Sequence, residues 1–454
     1  MTSSRIKDFE FSLTGRHHGI IKHIQMREPG FGDWPFYYGY AEICDVGVLN
    51  NTMSFRPPAA GIGDSYEKAF YSIVGEGVER YCASFKQQDK LLDGCQTTLS
   101  MHHAMISPKQ LSCFSDEQHL QENIPYHNFT CNDVIEWQQA YRLFSDSNQE
   151  ILVPAAYVYI PYLGAGQNLI AANSTGLACG QDLASALESA IYEVLERDAY
   201  SLCWLYGGHP PHLNIENSPE LLDEIPCYGH QDWTIEFFDL TGREAIPIIL
   251  CVLRAPKSYR ETHSEDRWYC HGVAAHLDPK LALLKAYREA MLGYFFLEVK
   301  CQKMMLDEQE SNKDNKFNKT VSDPIDFEQH ALFYNKHPEK IARLDFLDQG
   351  ELTDWGDSIG TRPNTKTGLV HLSERLLSHG VNGAYVDLTT EDVQQMDLTV
   401  VRVLLEGFTW LHGDNRLPYL GTPRASQAEK YYDYLSGTTD GLLCRSNPWP
   451  HSLG

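Results

Sequence analysis

The sequence has no CxxC pair, no run of 18 apolar residues, no Walker-type phosphate loop and no Ser-His-Asp pattern. Each absence removes a class of function. Without CxxC there is neither a zinc ribbon nor a thioredoxin-type redox motif. Twelve cysteines dispersed from Cys44 to Cys444 are too dilute for a disulfide scaffold and read as small hydrophobes with reduced thiols. No membrane-spanning helix is expected. Met1 to Arg5 and the following Lys7-Asp8-Phe9-Glu10 lack the apolar core of a signal peptide, so a cytoplasmic location is expected. Positive charge is also scarce, with 37 Lys+Arg against 61 Asp+Glu and a net charge of −24. That balance disfavours nucleic-acid backbones and suits basic partners. It leaves nucleotide binding open, because bound Mg²⁺ reverses the local sign.

What is present is the composition of a globular enzyme, with 43% apolar and 22% charged residues in 454. Alternation predicts a strand at 36–43, followed by a Pro/Gly loop at 57–63 and a helix at 66–85. Residues 86–150 show weak periodicity and read as connecting structure. Apolar, β-branched runs return at 151–163 and 169–172. A second glycine-containing loop at 175–180 precedes a long helix at 183–205. Three strands are expected at 234–240, 245–254 and 268–275, then a helix from 279 to about 299. Residues 303–325 are polar and read as a solvated loop.

The strongest signal is an internal repeat. Gly63 to Arg80 aligns without gaps on Gly180 to Arg197, at a constant offset of 117 residues. Gly63/Gly180, Ala69/Ala186, Ser72/Ser189, Glu76/Glu193, Glu79/Glu196 and Arg80/Arg197 are identical. A degenerate third copy lies within 276–293, with Ala282, Lys285 and Glu289 in matching places. On a helix, glutamates three apart share one face, while Phe70, Ile73, Val74 and Tyr81 form another that packs inward. Leu187, Ala190, Ile191 and Val194 do the same in the second copy. Two such helices side by side bring four carboxylates together, and these repel unless cations neutralise them. With no histidine inside either motif, the donor set suits a hard ion such as Mg²⁺. A glycine turn opening each helix offers free N–H groups and the positive dipole end to phosphate. One copy alone reads equally as a surface Glu–Arg ion pair. Two copies with the same entrance glycine do not, since packing calls for no paired glutamates on the non-packing face.

These segments resemble the YcaO family. Its first signature is matched by Gly61-Ile62-Gly63 and then Ser72, Glu76, Glu79 and Arg80. Its second is matched by Ser174, Gly176, Ala178 and Gly180 and then Glu193, Glu196, Arg197 and Asp198. The resemblance implies an α+β fold of mixed and antiparallel sheets with packed long helices, internally pseudo-repeated. It also implies an N-terminal segment (1–55) ahead of one YcaO domain (56–454). It implies ATP and Mg²⁺ as cofactors. Glu76, Glu79, Glu193 and Glu196 would hold the metal, and Ser72, Arg80, Gln181, Arg197, Lys285 and Glu289 would line the nucleotide. Arg197 would stabilise charge on the transferred phosphoryl group.

Leu13-Thr14-Gly15 and the run from Val400 to Gly407 resemble the stand-alone subunit of azoline-forming synthetases. The reaction so implied converts Cys, Ser or Thr of a precursor peptide to azolines. The alternatives are peptide thioamide formation and a silent scaffold subunit, and the intact glutamate pairs disfavour the scaffold. Implied partners are the precursor peptide, a ThiF-like leader-binding protein and a flavin-dependent dehydrogenase. A homodimer within a larger complex fits the same picture; nucleic acid and membrane do not. The tail, Asn447 to Gly454, holds two prolines and is expected to reach the active site as a stiff strand that takes little part in folding. His451 on it is the candidate proton-transfer base.

Overall fold

Alternating segments form strands and longer periodic segments form helices in the computed structural model. It describes residues 12–15, 19–30, 34–50, 53–121, 124–145, 149–226, 228, 233–254, 269–310, 323–344, 346–356, 368–436 and 447–453. In chain order the strands and the helices of ten residues or more are β1 (Ile21–Arg27), β2 (Tyr37–Ile43), β3 (Pro58–Gly63), α1 (Tyr66–Cys82), β4 (Leu91–Cys95), β5 (Val134–Arg142), β6 (Glu150–Pro154), β7 (Leu177–Gly180), α2 (Leu183–Tyr206), β8 (His212–Asn214), β9 (Thr234–Asp239), β10 (Ile248–Arg254), β11 (Tyr269–Ala275), α3 (Pro279–Glu310), α4 (Phe327–Lys336), β12 (Leu352–Asp354), α5 (Leu369–Ser378), β13 (Gly383–Asp387) and β14 (Thr399–Leu405).

The chain divides into two compact units. Met1–Arg197, Lys366–Trp410 and Tyr419–Ser426 form the first; Asp198–Thr365, Leu411–Pro418 and Gln427–Gly454 form the second. The division falls inside α2. The first unit holds an antiparallel sheet in the order β1-β2-β3 and a second sheet in the order β4-β5-β13-β14-β7, with β6 paired to β5. α1 packs on β3 and β2 and reaches β7. Phe70, Ile73 and Val74 are buried, as the periodicity predicts, and Val78 joins them, whereas Tyr81, expected on the same face, is half-buried. The second unit holds one sheet in the order β11-β10-β9-β8-β12, antiparallel except for β8 with β12. α3 covers β10 and β11, whose residues are buried nearly throughout. Strands buried on both faces read as continuous apolar runs, which is why these two were legible.

Several expectations are corrected. Residues 57–63 and 175–180, expected as loops, largely form β3 and β7, because β2 and β14 supply antiparallel partners to their backbones. Residues 86–150 contain β4 and β5. α3 continues to Glu310, beyond the expected end near 299, while 311–322 lie outside the described residues.

The tail is the largest correction. Pro450, His451, Ser452 and Leu453 are buried. The Trp204 indole donates to the Trp449 carbonyl (2.8 Å) and the Tyr334 hydroxyl to the Pro450 carbonyl (2.6 Å). Asn447 donates its amide group to the Trp204 carbonyl (2.9 Å). A proline-containing segment has few backbone donors, but its carbonyls remain strong acceptors, and core side chains satisfy them. No disulfide joins the described cysteines, and no described helix is long and apolar enough to cross a membrane.

Candidate active site

In the first unit β3 leads into α1 and β7 leads into α2 by the same local construction. The strand ends on glycine, and three residues later the helix begins. A Cβ on Gly63 would stand 2.5 Å from the Ala69 nitrogen, and one on Gly180 would stand 2.5 Å from the Ala186 nitrogen. Only glycine lets strand and helix backbones approach so closely, which gives the recurrent entrance glycine its physical reason. Ser65 caps α1 by accepting from the Lys68 N–H (3.3 Å). At α2, Asp182 Oδ1 accepts from the Ser185 N–H (2.8 Å) while Ser185 Oγ accepts from the Asp182 N–H (3.2 Å).

The glutamates of these helices meet. Glu76 Oε2 accepts from the Ala60 N–H on β3 (2.8 Å). Glu79 Oε1 accepts from the Cys179 N–H on β7 (2.8 Å), tying the first helix to the strand that feeds the second. Glu193 Oε2 accepts from the Gly176 N–H (3.2 Å). Burial, then the charges of Glu193 and Glu76, push the Glu79 carboxyl up to about 8. Burial also raises Glu193, against the lowering pull of Arg197, Arg402 and Arg80. Glu196, one turn further along α2, is buried.

Two arginines come with the motifs and a third does not. Arg80 Nη2 pairs with Glu76 (3.1 Å), and Arg197 Nε stands 3.9 Å from Glu193. Burial pulls the Arg80 guanidinium down, but Glu76, Glu79 and Glu193 outweigh it and hold the charge. Arg402, central in β14 and 1% exposed, donates to the carbonyls of Tyr157 (3.1 Å) and Asn173 (2.6 Å) and lies over the Trp410 ring. Burial lowers it to about 9, with Glu193 opposing the drop. Its Nη1 is buried with no hydrogen-bond partner among the described residues. Arg402 lies in the run from Val400 to Gly407 and is not among the site residues expected from the sequence. The available signal was one arginine inside the aliphatic run 400–405.

Of the remaining expected residues, Ser72 is exposed on α1, and Gln181 is exposed just ahead of α2. Lys285 and Glu289 lie on α3 in the second unit, exposed and half-buried respectively. His451 is buried in the second unit, its Nε2 donating to the His412 carbonyl (2.8 Å).

A family model described as YcaO cyclodehydratase, ATP- and Mg²⁺-binding, matches residues 60–409. The chain belongs to the YcaO family. Among solved structures it is similar to a heterocyclase in complex with substrate and cofactor, with a TM-score of 0.66 and 20% identity over 90% of this chain and 52% of that one. The chain thus spans about half the heterocyclase's length. It is also similar to the YcaO protein of Methanopyrus kandleri bound with AMPPCP and Mg²⁺ (TM-score 0.58, 18% identity, 90% and 91% covered). A third likeness is to the E. coli microcin synthetase McbBCD complex (0.57, 17%, 94% and 96%). At these identities the likenesses establish the fold, which is the expected α+β organisation.

ATP and Mg²⁺ are the ligands of the family and of this chain. The residues present fit them. Half-buried carboxylates whose crowding raises the proton affinity of Glu79 form a site in want of a cation, and oxygen donors are the set Mg²⁺ takes. Arginines pointing into the same region supply what phosphate requires.

Proposed function

We propose that this YcaO enzyme is a cyclodehydratase subunit that converts Cys, Ser or Thr side chains of a ribosomal precursor peptide to azolines at the expense of ATP. The convergence of Glu76, Glu79 and Glu193 from α1 and α2 carries this reading. In the proposal these three, with Glu196, hold Mg²⁺ against the nucleotide phosphates. Arg80, Arg197 and Arg402 neutralise the phosphoryl group, and Ser72 and Gln181 line the nucleotide.

The substrate thiol or hydroxyl adds to the preceding backbone carbonyl and loses its proton. Hydroxide is too poor a leaving group to depart from that tetrahedral carbon. That addition closes the five-membered ring; ATP supplies the phosphoryl group that turns the former carbonyl oxygen into phosphate, leaving ADP, and elimination of the phosphate with loss of the amide N–H proton forms the C=N bond of the azoline. Fixed positive charge lowers the barrier where negative charge develops on the transferred group. His451, fully buried in the second unit, is given no step in this scheme.

The likeness to a synthetase complex supports a further element, a separate ThiF-like protein that delivers the leader of the precursor peptide. An acidic surface suits a basic partner, and a flavin-dependent dehydrogenase acting on the azolines completes the proposed assembly. Mass spectrometry of the precursor peptide, incubated with ATP and the reconstituted assembly, tests the reaction. Loss of one water per modified residue, matched by phosphate release, supports azolines. Replacement of oxygen by sulfur would make the chain a thioamide-forming enzyme, and ATP consumption without peptide change would overturn the substrate assignment.

A further inference from the structure

Three histidines distant in sequence meet in the core of the second unit. His330 lies on α4, His412 in the segment 411–418 and His451 in the tail. They are 0%, 1% and 0% exposed, and one ring nitrogen from each lies within 4.8 Å of the others. The His330 and His451 rings stack at 3.7 Å with 12° between planes, while His412 stands nearly perpendicular to both.

Hydrogen bonds fix which nitrogens carry protons. A backbone carbonyl only accepts, so the ring nitrogen facing it must donate. His330 Nδ1 faces the His451 carbonyl at 3.1 Å, which makes Nε2 the basic nitrogen of the neutral ring. His451 Nε2 faces the His412 carbonyl at 2.8 Å, which makes Nδ1 basic. The backbone of one histidine thus sets the tautomer of the next. One ring N–H held by a carbonyl, with the other nitrogen basic, is how metal-binding histidines are oriented.

We propose that His330, His412 and His451 form a second metal site, for a divalent transition ion of the Zn²⁺ kind, that pins the C-terminal tail to α4 and to segment 411–418. Uncharged imidazole donors in a buried setting suit Zn²⁺ and discriminate against Mg²⁺, which takes oxygen. The site is structural, because all three side chains are closed off from solvent. Seating the ion draws the three ring nitrogens, now within 4.8 Å of one another, closer together, with a water in the fourth position. Nothing in this site depends on the reaction proposed above, since none of its three residues has a part there.

The test is cobalt and zinc titration of the full-length, chelator-stripped chain in excess Mg²⁺ and AMPPCP, which keeps the glutamates occupied. About one Co²⁺ per chain should bind with a visible tetrahedral absorption band, displaced by about one Zn²⁺. Zn²⁺ should raise the melting temperature further where more Mg²⁺ does not. His412→Gln and His330→Gln should each weaken binding at least about 10-fold. A folded wild-type chain that gives neither a band nor a zinc-dependent melting shift would overturn the site even if both variants fail to fold. Binding that survives in both folded variants would overturn it too.

Discussion

Glu76, Glu79 and Glu193 in the first unit and His330, His412 and His451 in the second are both gatherings of side chains of metal-ligating types, made of opposite materials. The glutamates are half-buried acids, each accepting a backbone N–H, and their crowding raises the proton affinity of Glu79. The histidines are fully buried and uncharged in the proposed tautomers, with two ring N–H groups spent on backbone carbonyls. The first cluster therefore works against folding until a cation arrives, whereas the second already packs as core. A site that must bind and release Mg²⁺ with each nucleotide is expected to look like the former, and a permanent fastening like the latter.

The sharpest way to break the comparison is to neutralise a glutamate. Glu79→Gln and Glu193→Gln should each lower ATP turnover in the assembled complex by at least about 100-fold, with an unchanged or raised melting temperature in the metal-free chain. Lost stability would show that the carboxylates are structural. Next is Arg402→Met, which leaves two carbonyls without their donor and removes one of the three cations that act on Glu193. About 3 kcal/mol of stability should be lost, read by chemical denaturation; an unchanged midpoint would remove Arg402 from the support of the site. Deleting Trp449 to Gly454 should lower the melting temperature by about 5 °C or more, because it strips buried residues and the partners of Trp204 and Tyr334. A tail that can be cut without such a shift is surface chain after all.

The smallest effect is a pH slope. The folded state holds the Glu79 proton up to about 8, while the unfolded chain releases it near the ordinary carboxyl value of 4.5. Stability from this group is present below 4.5 and is lost as pH rises to about 8. The metal-free chain should therefore melt earlier at pH 8 than at pH 6. Mg²⁺ with nucleotide, or Glu79→Gln, should flatten the slope, and a slope untouched by Glu79→Gln would assign it to another group.

The carboxylate site was legible because each half is local. Glycine at a helix entrance and glutamates three apart are fixed by helix geometry, and a duplicated pattern repeats both. β3 and β7 were not legible: segments rich in glycine, alanine and proline read as loops, and only pairing with β2 and β14 makes them strands. Arg402 escaped because its neighbours Tyr157, Asn173 and Glu193 are more than two hundred residues earlier. The histidine cluster escaped for the same reason, His330 and His451 being 121 residues apart. The tail misled, since two prolines in eight residues describe backbone stiffness and not burial.

Calorimetric titration of AMPPCP into the full-length wild type, Glu79→Gln and Glu193→Gln, with and without Mg²⁺, tests most directly whether α1 and α2 build one shared metal–nucleotide site. Binding should appear in the wild type only with Mg²⁺ and fall at least about 10-fold in each variant, one from each helix. Wild-type affinity retained by either variant, or nucleotide binding that ignores Mg²⁺, would contradict a shared site.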